Sequence, residues 1–258
     1  MSILKNHNPI GDSSWEKEKC IEETNKNILE ISLLIEKMYA EKKQGILLVL
    51  QGMDASGKDG LTRDIFSKIS PSWVNVVSFK KPTDVEMAHD YLWRINRVLP
   101  EKGTITVFNR SHYEDILVPS VYGYLDDNVI EKRYTQINDF EQYLEENNTA
   151  VIKLYLNLSF EKQEEKLLER INNLDKHWKH SDSDWETRKS WTKFMDVYEQ
   201  IFEKCKKVAW NIVPCDKNWT KNYAVSKILL AKLKEINPKY PKLISEKFKA
   251  DYSKSKVD

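Results

Sequence analysis

The chain is expected to fold as an α/β three-layer sandwich with a mostly parallel, five-stranded sheet, and three observations predict it. Five short apolar runs suited to strands alternate with longer stretches whose apolar residues recur at helical spacing. One of those runs leads straight into a glycine-rich loop and then a helix, a unit that belongs to parallel sheets. The 258 residues are 40% hydrophobic and 11% aromatic, enough for one sizeable core.

In chain order, residues 1–14 carry Pro9, Gly11 and several Asn and Ser, and are expected to form an irregular arm. From Trp15 to about Lys42 the pattern is helical, with Ile28, Ile31, Leu34, Ile35 and Met38 on one face. Ile46 to Leu50 is the first strand, and Val74 to Phe79 the second. Thr83 and Glu86 have the spacing of a capping box. The helix they open should carry Val85, Ala88, Leu92, Ile95 and Leu99 along one stripe, up to Pro100. Ile105 to Phe108 is the third strand. A helix over about Asp127 to Asn147 follows, then a fourth strand over Val151 to Leu158. The helix after Ser159 is expected to use Leu167, Ile171 and Leu174. Ser183 and Glu186 should cap the next helix, which places Trp191, Met195, Tyr198, Phe202 and Cys205 on one side. Asn211 to Cys215 is the fifth strand, and Val225, Ile228, Leu229 and Leu233 mark the last helix. The lysine-rich tail from Ser245 is expected to fray. No linker divides the chain, so residues 1–258 are expected to be one domain.

Composition excludes several classes of function. Charged residues make up 31% of the chain, yet the net charge is only +1. A general nucleic-acid surface is therefore not expected, and any polyanion site must be a local cluster of Lys and Arg. Cys20, Cys205 and Cys215 are scattered without metal-type spacing and read as free thiols in a reducing compartment. The first residues lack the apolar run of a signal peptide, and the longest apolar run is too short for a bilayer. A cytoplasmic protein without a membrane partner is expected.

The loop that follows the first strand reads Gly52-Met53-Asp54-Ala55-Ser56-Gly57-Lys58-Asp59-Gly60 and holds three of the chain's seven glycines. Its spacing is that of a phosphate-binding P-loop, except that Asp59 stands where a Ser or Thr hydroxyl normally meets Mg²⁺. Glycines let backbone N–H groups approach a phosphate, the next helix points its positive end at it, and Lys58 adds a full charge. The bland alternative is a tight turn with a solvated lysine, which the preceding apolar strand disfavours.

In a parallel sheet, ligands bind at the carboxyl ends of the strands. That rule brings the P-loop, Lys80-Lys81 and Asn109 to Asp115 to one edge. Asp54, Glu114 and Asp115 are the candidates to hold Mg²⁺ and orient the attacking group. Glu114 and Asp115 also suit a helix first turn, which favours acids without any chemistry. Arg110 can fork onto phosphate oxygens. Lys80 and Lys81 could equally be a solvated turn, and Arg94 could face solvent. The stretch Arg170 to Trp191, rich in Trp, Lys and Arg and including Lys179, suits a cationic lid over about 170–190. The alternative there is an amphipathic hairpin. His89, His112, His177 and His180 lack metal spacing and read as ordinary polar residues.

Several stretches together resemble the family-2 polyphosphate kinases. They are the loop Gly52 to Gly60, Phe79-Lys80-Lys81-Pro82-Thr83, His89 to Arg94, Phe108 to Asp115, His177-Trp178-Lys179 and, in outline, Val213 to Lys217. The resemblance runs from about Trp15 to Leu233. It implies a P-loop kinase fold with a helical lid, usually homo-oligomeric. It further implies Mg²⁺-dependent phosphoryl transfer between inorganic polyphosphate and a nucleoside mono- or diphosphate. Asp54 and Lys58 match the family's loop carboxylate and lysine, and Arg110, Glu114 and Asp115 its second motif. Some branches carry Asp where this chain has Asn109, which shifts the metal role to Asp54 with Glu114 or Asp115. That pattern is similar to the branch acting on AMP as well as ADP. An ATP-dependent monophosphate kinase and a non-catalytic nucleotide-binding module remain the alternatives. A donor comparison separates the first, and binding without turnover would mark the second.

Overall fold

The computed structural model describes residues 2–243, so the tail expected to fray from Ser245 lies outside the described residues. Five strands form one sheet: β1 (Gly45–Gln51), β2 (Val74–Ser78), β3 (Ile105–Asn109), β4 (Thr149–Asn157) and β5 (Trp210–Pro214). Their order is β2-β3-β1-β4-β5, and every pairing is parallel. All residues of β1 and β4 are buried. Strands covered on both faces read as continuous apolar runs, which is why these two were plain in the sequence.

Side chains of β1 alternate between two helical layers. Ile46, Leu48 and Leu50 join one core with Ile31, Ile35 and Met38 of α1 (Lys17–Glu41), Leu61 and Ile65 of α2 (Lys58–Ile65), and Leu229 and Leu233 near the carboxyl terminus. Leu47 and Val49 join the other with Ile116, Ile137, Tyr198 and Phe202. Three layers result.

Past β2 the sequence pattern misleads. The stripe from Val85 to Leu99 is not one helix but two single turns, α3 (Asp84–Met87) and α4 (Trp93–Asn96). The capping box is present: Glu86 N–H donates to Thr83 Oγ1, and Thr83 N–H donates to the Glu86 carboxylate. The break comes at Asp90, whose carboxylate accepts from Leu92 N–H at 3.0 Å. A local side-chain bond of that kind competes with the helix. Val85 is left exposed, whereas Ile95 is fully buried.

The remaining helices are α5 (Glu114–Tyr122), α6 (Asp127–Glu146), α7 (Phe160–Asn172), α8 (Asp182–Lys189), α9 (Trp191–Lys204) and α10 (Asn218–Ile236). Ser159 caps α7, but the helix ends before Leu174. Of its three apolar markers only Leu167 reaches the core, while Ile171 and Leu174 are exposed. Ser183 caps nothing. It sits inside α8 with its hydroxyl against that of Ser181, and α9 starts from Ser190. Among the described residues no helix is long and apolar enough to cross a membrane.

Candidate active site

The loop between β1 and α2 takes its shape from two glycines. Gly52 has φ 146°, and a Cβ there would stand 2.9 Å from the Leu156 carbonyl oxygen. Gly57 has φ 81°, and a Cβ there would meet Lys221 Nζ at 2.7 Å. Only glycine tolerates both demands. Gly60 differs: it lies in α2, and a Cβ would meet nothing within 4 Å. Lys58 curls back so that its ammonium donates to the Gly52 carbonyl at 2.9 Å and the Met53 carbonyl at 3.3 Å. Burial, with the nearby Arg110 charge, pulls its pKa down from the usual lysine value.

The end of β3 supplies the opposite wall. Arg110 adopts a left-handed backbone (φ 62°), its N–H donates to Leu50 O at 3.0 Å, and its guanidinium pairs with Asp54 at 2.5 Å. Asn109 donates to Asp59 at 2.6 Å, so Asp59 is tied across the loop mouth. Glu114 opens α5 beside Arg110. Burial pushes its carboxyl up, partly opposed by Arg110 and then Lys58. Helix first turn and site therefore coincide at Glu114.

Asp115 behaves differently. Its carboxylate turns to Arg94 at 3.2 Å, and its carbonyl accepts from Arg133. Arg94 is buried, donates to Lys80 O at 3.0 Å and lies over the Phe79 ring at 5.4 Å. It fixes the turn that carries Lys80 rather than facing solvent or the main cleft. Lys81 and Arg94 line a separate groove behind Lys80.

The loop, Lys80, Asn109 and Arg110 border a cleft of about 610 Å³. Its far wall is built by α7 and a 3₁₀ turn over Leu174–Lys179, which lie partly in the stretch 170–190 expected to form a lid. Arg170 reaches the cleft while bound to Asp184 at 2.5 Å and to the Lys179 carbonyl at 3.0 Å. Lys179 lines the cleft and also lies 4.9 Å over the exposed Trp178 ring. Two cleft lysines were missed in the sequence. Lys166 falls four residues before Arg170 on α7, a spacing that puts both on one face, and its buried Nζ has no hydrogen-bond partner. Lys221 of α10 is buried and donates to the Gly57 carbonyl at 3.2 Å. Nothing local marks it, since only the packing of α10 against α2 brings it there.

Among the described residues, nine Lys and Arg side chains and four carboxylates border the cleft. A smaller cavity of about 90 Å³ opens on the other side of Asp54, walled by Glu114 and by Leu117, Tyr122, Phe194 and Tyr198, with Thr187 of α8 above. Among the described residues no cluster of three or more His, Cys, Asp or Glu is placed to hold a metal. A cation at Asp54 and Glu114 would need phosphate and water oxygens to complete its shell.

Comparison with known proteins agrees with this geometry. The family model described as Polyphosphate kinase 2 matches residues 14–241. An AMP/ADP-polyphosphate phosphotransferase of Meiothermus ruber is 38% identical over 242 residues, covering 92% of this chain and 91% of that protein. An ADP-polyphosphate phosphotransferase of Rhodopseudomonas palustris is 36% identical, covering 82% of this chain and 78% of that one. A crystal structure of polyphosphate kinase 2 from Arthrobacter aurescens TC1 superposes with a TM-score of 0.87 at 36% identity, covering 90% of this chain and 84% of that chain. The fold thus recurs in a solved structure that shares more than a third of its residues with this chain. The chain belongs to the polyphosphate kinase 2 family.

Proposed function

We infer that the protein moves a terminal phosphoryl group between inorganic polyphosphate and AMP or ADP, with GMP and GDP as further acceptors. The observation that carries this is the charge of the cleft. A chain of net charge +1 gathers, among the described residues, nine cations against four carboxylates around one groove, with Phe79 the only aromatic side chain there. A nucleotide's phosphates need fewer cations, and a nucleobase would want an aromatic or hydrogen-bonding wall. A long, base-free polyanion needs repeated charge and nothing else. The smaller cavity beyond Asp54, with Tyr122, Phe194 and Tyr198, offers the aromatic wall a nucleoside wants, and at about 90 Å³ it must open to take one.

The residues fit Mg²⁺. Asp54 and Glu114 flank Arg110, and Mg²⁺ usually takes one or two carboxylates plus substrate phosphates. An ion held by Asp54 and Glu114 would supply positive charge to offset that of the phosphate oxygens. The acceptor is itself a phosphate, ionised near neutral pH with a second pKa of about 6, so no strong base is required. Its oxygen forms a bond to the terminal phosphorus of polyphosphate. The bridging P–O bond breaks, and the electron pair leaves on a chain one unit shorter. Lys58 exchanges its carbonyl partners for phosphate oxygens. Arg110, held by Asp54, meets the equatorial oxygens. Arg170 and Lys179 close from the lid and exclude water. The free buried cysteines and the absence of a membrane-spanning helix among the described residues support a cytoplasmic setting.

The test is steady-state kinetics with Mg²⁺, AMP or ADP as acceptor, and polyphosphate or ATP as donor. The expected result is turnover with polyphosphate. Phosphorylation of AMP from ATP, with none from polyphosphate, would leave an ordinary monophosphate kinase.

A further inference from the structure

Behind the site, away from the cleft, four polar side chains meet inside the core. Glu141 of α6 and Lys153 of β4 are both fully buried and pair at 2.7 Å. Tyr113 donates its hydroxyl to Glu141 at 2.7 Å and accepts from Lys153 at 2.8 Å. His112 Nε2 lies 3.3 Å from the same carboxylate. Lys153 also donates to the Cys205 carbonyl at 2.9 Å, and its ammonium lies 4.9 Å over the Trp210 ring. His112 and Tyr113 are fully buried, so the sequence expectation of an ordinary polar histidine does not hold for His112.

Such a cluster is poor value for stability alone. A buried ion pair replaced by apolar groups of the same shape is often neutral or stabilising. What this one does hold is specific. His112 and Tyr113 lie between Arg110 and Glu114, the two groups of this segment that face the reacting phosphates. The segment is short, begins in a left-handed residue that is not glycine, and passes directly into the first turn of α5. A strained turn keeps its shape only when its surroundings over-determine it.

We propose that the buried Glu141–Lys153 pair, acting through Tyr113 and His112, is a positioning device that sets the aim of Arg110 and Glu114. None of the four touches substrate, so they are positioning residues. The proposal rests on the reading that Glu114 serves phosphoryl transfer. A misaimed pair of groups lowers the transition state's support more than the ground state's, so kcat should suffer and KM should not.

The test is a double-mutant cycle in the full-length protein, with polyphosphate and ADP. Tyr113→Phe removes one hydroxyl and keeps the ring and the ion pair. It is expected to lower kcat about tenfold, with both KM values within about twofold. In a Glu114→Gln background the same change should cost clearly less than tenfold, because one of the two groups it aims is already gone and only Arg110 remains to be misaimed. A general structural defect would multiply unchanged in both backgrounds. Glu141→Gln with Lys153→Met, which removes both charges together, is read the same way should Tyr113→Phe fold poorly. An unchanged kcat in these variants, or an equal loss in both backgrounds, overturns the proposal. A Glu114→Gln single variant with wild-type kcat would instead overturn the role of Glu114 itself.

Discussion

Lys58 shows how a loop prepares for an anion. Its ammonium is satisfied by the Gly52 and Met53 carbonyls, at the price of a lowered pKa from burial. Lys58→Ala should therefore abolish most turnover, by on the order of a hundredfold or more, with a melting temperature near wild type. Wild-type rates would remove the P-loop from the chemistry. Glu114 carries a pH signature. Burial raises its pKa above the usual 4.5, so the folded protein holds that proton more tightly than the unfolded chain. The stability this contributes is full below the ordinary value and is lost as pH rises through the raised one. At neutral pH the buried charge is a net penalty. Glu114→Gln is expected to leave the melting temperature equal or higher while lowering kcat. In wild type, kcat should fall on acidification at a higher pH than an exposed carboxylate would give. A pH–rate profile of both proteins, with parallel melts, checks the pair of effects. A variant with the same acid limb as wild type would exclude Glu114 as its source.

At the scale of elements, the lid is a polar structure and not a packed one. Arg170 is held by Asp184 and the Lys179 carbonyl, while Ile171, Leu174 and Trp178 remain exposed. Few buried apolar contacts mean low local stability, which suits a part that closes over ligand. Arg170→Ala should lower kcat more than it weakens nucleotide binding, as expected of a lid cation that meets phosphate fully only on closure. A change in KM alone would make Arg170 a uniform binding group. The inner helices behave in the opposite way. Ile35 of α1 is fully buried against the sheet, and Ile35→Ala should cost about 2–5 kcal/mol in denaturant unfolding. Any effect on rate should come only through loss of folded protein.

For the whole molecule, the charge distribution is the governing fact. Net charge is +1, but one cleft holds a large share of unbalanced cation. Polyphosphate binding should weaken steeply with added salt, because several contacts are screened together. Nucleotide binding should weaken less, since the cavity beside Asp54 has apolar and aromatic walls. Apparent KM values at two ionic strengths measure both, and equal salt slopes would argue against separate sites.

The five parallel strands, the three layers and the P-loop were legible in the chain, because a parallel sheet buried on both faces writes itself as apolar runs and a phosphate loop as spaced glycines, whereas the strand order came only with the fold. Local spacing also pointed to Asp54, Lys58, Arg110, Glu114 and the lid cations. What needed tertiary structure was direction and partnership. Asp115 is adjacent to Glu114 in sequence, yet a helix turns successive side chains by about 100°, and its carboxylate faces Arg94. The stripe from Val85 to Leu99 kept helical periodicity, but the Asp90 bond and the anchoring of Arg94 broke it. Lys221 has no motif around it and enters the cleft only because α10 packs on α2. His112, Tyr113, Glu141 and Lys153 come from three separate stretches and carry no shared pattern. Sequence alone marked the P-loop and the cationic segments as candidates for binding phosphate, because those are properties of short segments. Only the fold decided which of them meet and which are held by something else, because burial and long-range pairing are properties of the assembled layers.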